Sequence, residues 1–312
     1  MPVIEVHNLC KDFTIVKKEK GLKGAIKSLV HKQKETLHAV DNISFSIDRG
    51  EMVAYLGPNG AGKSTTVKML SGILSPTSGS ITVNGLSPQK ERKKVVQRLG
   101  VVFGQRSQLI WDLRREESFE LLKRIYRVND DIYRENMQLM DEILEIRKFS
   151  STPVRQLSLG QRMRGDLAAA MLHSPDILFL DEPTIGLDVE GKHAIRKFIK
   201  EINRLKQTTV ILTTHDLGDI QELCSRLMII NEGRLIEDGS LEELIDRIAP
   251  FRYLQVEGYG EQEMPEHPQA EIIGREGACT TYRFDKKQIT AARLIEDLSQ
   301  TVRIKCPNAQ VT

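Results

Sequence analysis

The order of apolar runs and turns predicts an α/β fold followed by a small α+β domain, and three observations carry that expectation. A short strand at residues 51–56 runs straight into a glycine-rich stretch at 57–64, and a helical stretch follows at 65–74. Two short apolar runs, 177–180 and 209–213, flank an amphipathic stretch at 191–205, the layout of a βαβ unit with buried parallel strands. Past about residue 246 the texture changes to alternating strands with a single helix.

Taken in chain order, period-two alternation predicts strands at 4–8 and 43–47, and another at 80–84 after the glycine-rich stretch and its helix. Residues 113–149 are rich in Leu, Ile, Met, Glu, Lys and Arg at helical spacing without Gly or Pro, so they predict a helical subdomain over about 106–165. In the last part, strands are expected at 253–257, 271–274, 280–284 and 302–305, a helix at 290–300, and a loop at 258–268. The expected domains are therefore 1–245 and 246–312.

One segment interrupts the first sheet. Residues 17–34 carry Lys17, Lys18, Lys20, Lys23, Lys27, Lys32 and Lys34 against Glu19 alone, with Leu22, Ala25, Ile26, Leu29 and Val30 at near-helical spacing. The insertion, bounded at 14–36, has two readings: a solvated charge run, or a basic amphipathic helix resting on anionic lipid or on a membrane partner.

Composition narrows the class. The 312 residues are 40% hydrophobic and 28% charged, enough apolar material for a sizeable core. A net charge of +2 lacks the basic excess of a nucleic-acid binder, so no nucleic-acid partner is expected. Cys10, Cys224, Cys279 and Cys306 are widely spaced without a C-x-x-C pair, which argues against a zinc site or a disulfide framework and fits a reducing cytosol. The N-terminus has no signal-peptide pattern, and no run approaches the roughly 20 apolar residues of a membrane span. Action at a membrane would require a partner.

Gly57-Pro58-Asn59-Gly60-Ala61-Gly62-Lys63-Ser64 matches G-x-x-x-x-G-K-[ST] between a strand and a helix, the context such a loop needs to cradle phosphates. Its glycines let backbone N–H groups turn onto phosphate oxygens, and the helix start adds its positive end. Lys63 supplies a fixed cation for the β- and γ-oxygens, and Ser64 a hydroxyl for Mg²⁺. Ile177-Leu178-Phe179-Leu180-Asp181-Glu182 is an apolar strand ending in two acids, which places both at the carboxyl edge of a parallel sheet, where ligands bind. Beside a phosphate loop, Asp181 reads as the Mg²⁺ partner and Glu182 as the general base for an attacking water. His215 closes another such strand, within reach of a γ-phosphate.

These parts are common to many P-loop enzymes. Leu157-Ser158-Leu159-Gly160-Gln161 is more specific: it closely resembles the LSGGQ signature of the ABC ATPase superfamily and falls, as there, between the phosphate loop and the acidic strand. The resemblance covers residues 1 to about 245. It implies a mixed sheet with a RecA-like part plus the helical subdomain, ATP and Mg²⁺ as cofactors, and two subunits paired head to tail. It further implies Gln105 as the Q-loop residue at the metal and the catalytic site, His215 as the switch histidine and Asp188 in the D-loop Gly186-Leu187-Asp188. Phe13 would stack on adenine, with an ordinary core aromatic as the alternative. Gly57, Asn59, Gly60, Gly62, Lys63, Ser64 and Thr65 would hold nucleotide in one subunit, while Ser158 and Gly160 bind its γ-phosphate from the other. The metal set would be Ser64, Gln105 and Asp181.

Three departures stand out. Leu159 replaces the first signature glycine, Gln108 follows Gln105 closely enough to compete for the Q-loop position, and the lysine-rich insertion begins directly after Phe13. Trp111, the single tryptophan, lies near Arg114 and Arg115 and reads either as an interface anchor or as subdomain packing. The resemblance also implies a separate membrane permease, a place on the cytoplasmic face of the cell membrane, and, from its likeness to exporter subunits for drugs, lipids or polysaccharides, outward transport. The alternative is a soluble ABC ATPase acting on ribosomes or nucleic acid. One phosphate loop, one signature and no sustained heptads weigh against it.

Overall fold

Apolar runs too uniformly buried for a one-sided sheet make the central sheet of the N-terminal unit. In the computed structural model, which describes residues 1–16, 34–103, 107–248, 250–257, 264–277 and 279–301, strands β3 (Met52–Leu56), β5 (Leu99–Phe103), β6 (Ile177–Asp181), β7 (Thr209–Thr213) and β8 (Arg226–Asn231) are joined by β9 (Arg234–Ser240). They form one sheet in the order β5-β6-β7-β3-β8-β9, parallel throughout except for the β8/β9 hairpin. Every residue of β7 is buried, and Ile177, Leu178, Phe179 and Leu180 are at most 2% exposed. A fully buried aromatic such as Phe179 contributes about 2–3 kcal/mol by leaving water. β3 and β6 each flank β7, so the chain leaves all three strands on the same edge of the sheet.

A second, antiparallel sheet, β2-β1-β4, combines β1 (Pro2–Val16), β2 (Lys34–Asp48) and β4 (Ser78–Val83). Alternation places β1 only at 4–8, because polar Asn8 closes the pattern. The ladder in fact survives an irregularity there: Asn8 and Asn42 both take positive φ, at 47° and 52°, and pairing resumes at Leu9↔Ile43. Asn8 Nδ2 donates to Asn42 Oδ1 at 3.0 Å across the bulge. Asparagine tolerates the left-handed region better than other side chains. Residues 14–16 and 34–36, expected within the insertion, are paired strand instead, with Thr14↔Thr36 and Ile15↔Glu35. Residues 17–33 lie outside the described residues, and with them the lysine-rich reading apart from the backbone of Lys34.

Helix α1 (Lys63–Leu70) follows β3, and α2 (Arg92–Val96) precedes β5. The long helical stretch is two helices, α3 (Arg115–Tyr126) and α4 (Asp130–Leu144), then a 3-10 turn at Ile146–Phe149. The break is local: Arg127 ends α3 at φ 54°, and the Asn129 side chain caps α4 by accepting from Asp131 N. Next come α5 (Leu159–Met171), α6 (Val189–Lys206) and α7 (Leu217–Leu223). The chain divides into two units, Met1–Leu241 and Glu242–Thr312, earlier than texture suggests because α8 (Leu241–Ile248) already leads into the second.

The second unit is α+β, a β10-β12-β11 antiparallel sheet from β10 (Phe251–Glu257), β11 (Ala270–Glu276) and β12 (Cys279–Asp285), with α9 (Ala291–Thr301). Leu254, Val256, Tyr282, Phe284, Leu294 and Leu298 close its own core. The strand expected at 302–305 lies outside the described residues. Among the described residues, no helix is long and apolar enough to cross a membrane.

Candidate active site

The glycine-rich loop is shaped by what surrounds it. A Cβ on Gly57 would stand 2.1 Å from the carbonyl oxygen of Ile230 in β8, and one on Gly62 would stand 2.5 Å from that of Ala39 in β2. Gly62 also holds φ +107° and is the N-cap of α1 without any side-chain cap, so the helix start is left to an outside acceptor. Ser64, Asn59 and Gly60 are exposed around it, with Thr65 half-buried. The Lys63 ammonium donates to the carbonyls of Gly57 and Pro58, the latter at 3.1 Å, folding back over the loop. This is a cradle of backbone donors with a cation at its lip, fit for a polyphosphate.

The acidic edge lies beside it. Asp181, the last residue of β6, accepts from Thr213 Oγ1 of β7 at 2.5 Å. Glu182 turns away at φ +53°, and its N–H donates to the Thr213 carbonyl at 2.9 Å. Its carboxylate reaches His215 Nε2 at 3.3 Å. Burial raises the Glu182 pKa, while the neighbouring His215 and the Lys63 ammonium pull it back. A carboxyl poised upward in this way suits a proton acceptor. A hydroxyl at Ser64 and a carboxylate at Asp181 would, with phosphate oxygens, offer an all-oxygen donor set, the chemistry that suits a small hard cation such as Mg²⁺ rather than a soft metal. No group of three or more His, Cys, Asp and Glu able to hold a metal occurs among the described residues, and such a set needs none.

The signature residues begin α5. Ser158 is its N-cap, accepting from Gln161 N at 3.2 Å while Gln161 Oε1 accepts from Ser158 N at 3.0 Å. Leu159 and Gly160 open the helix. Leu159 Cδ2 lies only 3.0 Å from where a Cβ would stand on Gly186, so the residue replacing glycine packs against the D-loop. Asp188 caps α6 by accepting from Gly191 N at 2.7 Å, a structural bond in addition to the nucleotide role expected of it. Gln105 lies outside the described residues; Gln108 is described, and its side chain donates to Val101 O.

Phe13 is 38% exposed and pairs with Leu37, two residues along β2 from the Ala39 carbonyl that abuts Gly62. That is a step of about 7 Å on a strand. The core alternative for Phe13 is thereby set aside, as it is for Trp111, which is 53% exposed with the Arg162 guanidinium 5.9 Å from its ring. Arg115, by contrast, is buried over the Phe119 ring.

Sequence reasoning passed over two buried acids. Asp166 of α5 accepts from Ser107 Oγ and Gln108 N, both at 2.8 Å, and burial pushes its carboxyl up to about 6. Asp219 of α7 accepts from Thr184 and Thr214. An acid at an inward position of an otherwise apolar helix face was the available signal for both.

A phosphate cradle at the start of a helix, with two acids and a histidine on one edge of a parallel sheet, defines a P-loop nucleoside triphosphatase. The family model described as ABC transporter matches residues 40–185. The chain is 34% identical over 214 residues to the ABC transporter ATP-binding protein NatA of Bacillus subtilis (strain 168), spanning 69% of this chain and 87% of that protein. It is 36% identical over 217 residues to the Nod factor export ATP-binding protein I of Burkholderia pseudomallei (strain K96243), 70% of this chain and 71% of that one. Among solved structures, the dimeric ATP-binding cassette MJ0796 in a post-hydrolysis state with ADP and Pi superposes with a TM-score of 0.63 at 26% identity, covering 76% of this chain and 98% of that one. The chain belongs to the ABC transporter family, as an ATP-hydrolysing, nucleotide-binding subunit.

Proposed function

We propose that this subunit hydrolyses MgATP at sites shared between two copies and thereby drives a separate membrane permease in export, working from the cytoplasmic face of the membrane. The observation that carries the reading is the meeting of Lys63, Asp181, Glu182 and His215 on one sheet edge. Gly57, Asn59, Gly60, Gly62, Ser64 and Thr65 surround the phosphates, and Lys63 leaves its loop carbonyls for the β- and γ-oxygens. Phe13 stacks on adenine. Ser64, Asp181 and Gln105 would hold Mg²⁺, which when bound would supply charge neutralisation on the phosphates. Glu182 orients the water and takes its proton, and His215, held against Glu182, faces the γ-phosphate.

The partner subunit's Ser158 and the partner subunit's Gly160 complete the γ-phosphate site, with Asp188 at the same junction. Support for pairing comes from the dimeric cassette that this fold superposes on, and support for export from the Nod factor export relative. Exposed Trp111 belongs to the permease-facing surface, and residues 17–34 would add attraction to anionic lipid.

Glu182→Gln keeps the side chain's size and removes its basicity. Turnover should fall by about 10²–10⁴ with ATP affinity retained, and gel filtration with MgATP should reveal a species of twice the monomer mass. Normal turnover with an unshifted peak would remove Glu182 from this role.

A further inference from the structure

We propose that Asp219 is a positioning residue for hydrolysis: its buried carboxylate ties the loop that carries Glu182 to the loop that carries His215. Asp219 is 0% exposed and lies on α7, outside the phosphate site. Its Oδ2 accepts two hydroxyls, Thr184 Oγ1 at 2.5 Å and Thr214 Oγ1 at 3.1 Å. Thr184 is two residues after Glu182, and Thr214 immediately precedes His215. One oxygen therefore gathers the two strand-end loops whose side chains meet at 3.3 Å.

The other oxygen faces the scaffold. Oδ1 accepts from Arg196 Nε of α6 at 2.6 Å, and the same guanidinium contacts Asp216 at 3.2 Å and Glu222 at 3.3 Å. Thr214 Oγ1 also accepts from Asp216 N at 3.0 Å, so its hydroxyl hydrogen is directed at Asp219. Thr184 and Thr214 are 2% and 4% exposed, which leaves water little access to substitute for either bond. A buried carboxylate with three donors is fixed in place, and a fixed acceptor shared by two loops restricts their separation. A general base displaced by a fraction of an ångström loses much of its effect, so the tether acts on the chemical step more than on nucleotide capture.

The inference rests on the assignment of Glu182 and His215 to hydrolysis, and its test keeps the two apart. In the full-length protein, Thr184→Val and Thr214→Val preserve shape and delete the hydroxyl, whereas Thr184→Ser and Thr214→Ser delete the methyl and preserve it. The valine variants should lose about tenfold in kcat with KM for MgATP within about twofold. The serine variants should recover most of the turnover even where they melt earlier than the valine ones. Wild-type kcat in both valine variants, or kcat that follows melting temperature across the set, overturns the proposal. Glu182→Gln is measured alongside. If it is inactive while the valine variants are normal, only the Asp219 proposal falls; if it too is normal, the site assignment falls and takes the proposal with it.

Discussion

Asp166 is a single residue whose titration should be visible in the whole protein. Its carboxyl is raised from 3.8 to about 6 by burial that outweighs the hydrogen bonds from Ser107 and Gln108. Below the lower value both folded and unfolded chains hold the proton. Between the two, the unfolded chain releases it first, so this group's contribution to stability declines as pH rises from about 4 to 6 and is flat above. Relative to Asp166→Asn, which cannot titrate, the wild type should lose at most about 3 kcal/mol across that interval, since each tenfold difference in proton affinity between the folded and unfolded chains is worth about 1.4 kcal/mol. Urea unfolding of both proteins at a series of pH values reads the difference directly. A constant gap between the two curves would show that Asp166 does not titrate in this range.

Between elements, the contact to test is that of the signature helix with the D-loop. Gly186 holds φ +71°, and Leu159 Cδ2 stands 3.0 Å from the position of an added Cβ. Gly186→Ala therefore meets both backbone strain and a crowded neighbour, and should destabilise by about 1–2 kcal/mol. In a Leu159→Ala background the crowding goes and the strain stays, so the penalty should shrink by about 0.5 kcal/mol or more, a coupling that a double-mutant cycle measures. Additive effects would mean that the two elements are independent.

The same scale explains what the sequence disclosed. The phosphate loop, the acid-ended β6 and the β6-α6-β7 unit were legible because each is a local pattern: glycine spacing, an unbroken apolar run, a helical period. β5 and β8 went unread because short apolar runs such as Leu99–Phe103 do not distinguish strand from helix by period, and β5 pairs far along the chain, with Val102 beside Leu180; β9, an edge strand paired only with β8, has no apolar run to mark it. The long β1/β2 ribbon was cut short at Asn8 for the reason already given: a residue that ends most strands here occupies a bulge inside one. Asp166 and Asp219 were missed because their significance lies in donors tens of residues away.

At the scale of the whole molecule, the two halves of the proposed nucleotide site lie on different parts of one chain, at Lys63 after β3 and at Ser158 before α5. If pairing joins one copy's loop to the other's signature, each copy supplies half of two sites. Lys63→Ala subunits and Ser158→Arg subunits should each be inactive, with the lysine variant also losing about tenfold or more in nucleotide affinity. Mixed, they can form a heterodimer in which one site has both an intact loop and an intact signature, and ATPase activity should return. Mixtures that form heterodimers yet stay inactive at every ratio would contradict the shared arrangement.

The left-handed backbone at Glu182 sets endurance against work. At φ +53° a glutamate gives up about 1 kcal/mol that asparagine or glycine would largely keep. Neither could serve as a base. In a population of variants screened for heat resistance alone, position 182 is where relaxed residues should accumulate and hydrolysis disappear. A screen that also demands transport should retain the glutamate and leave the chain to find its heat resistance elsewhere.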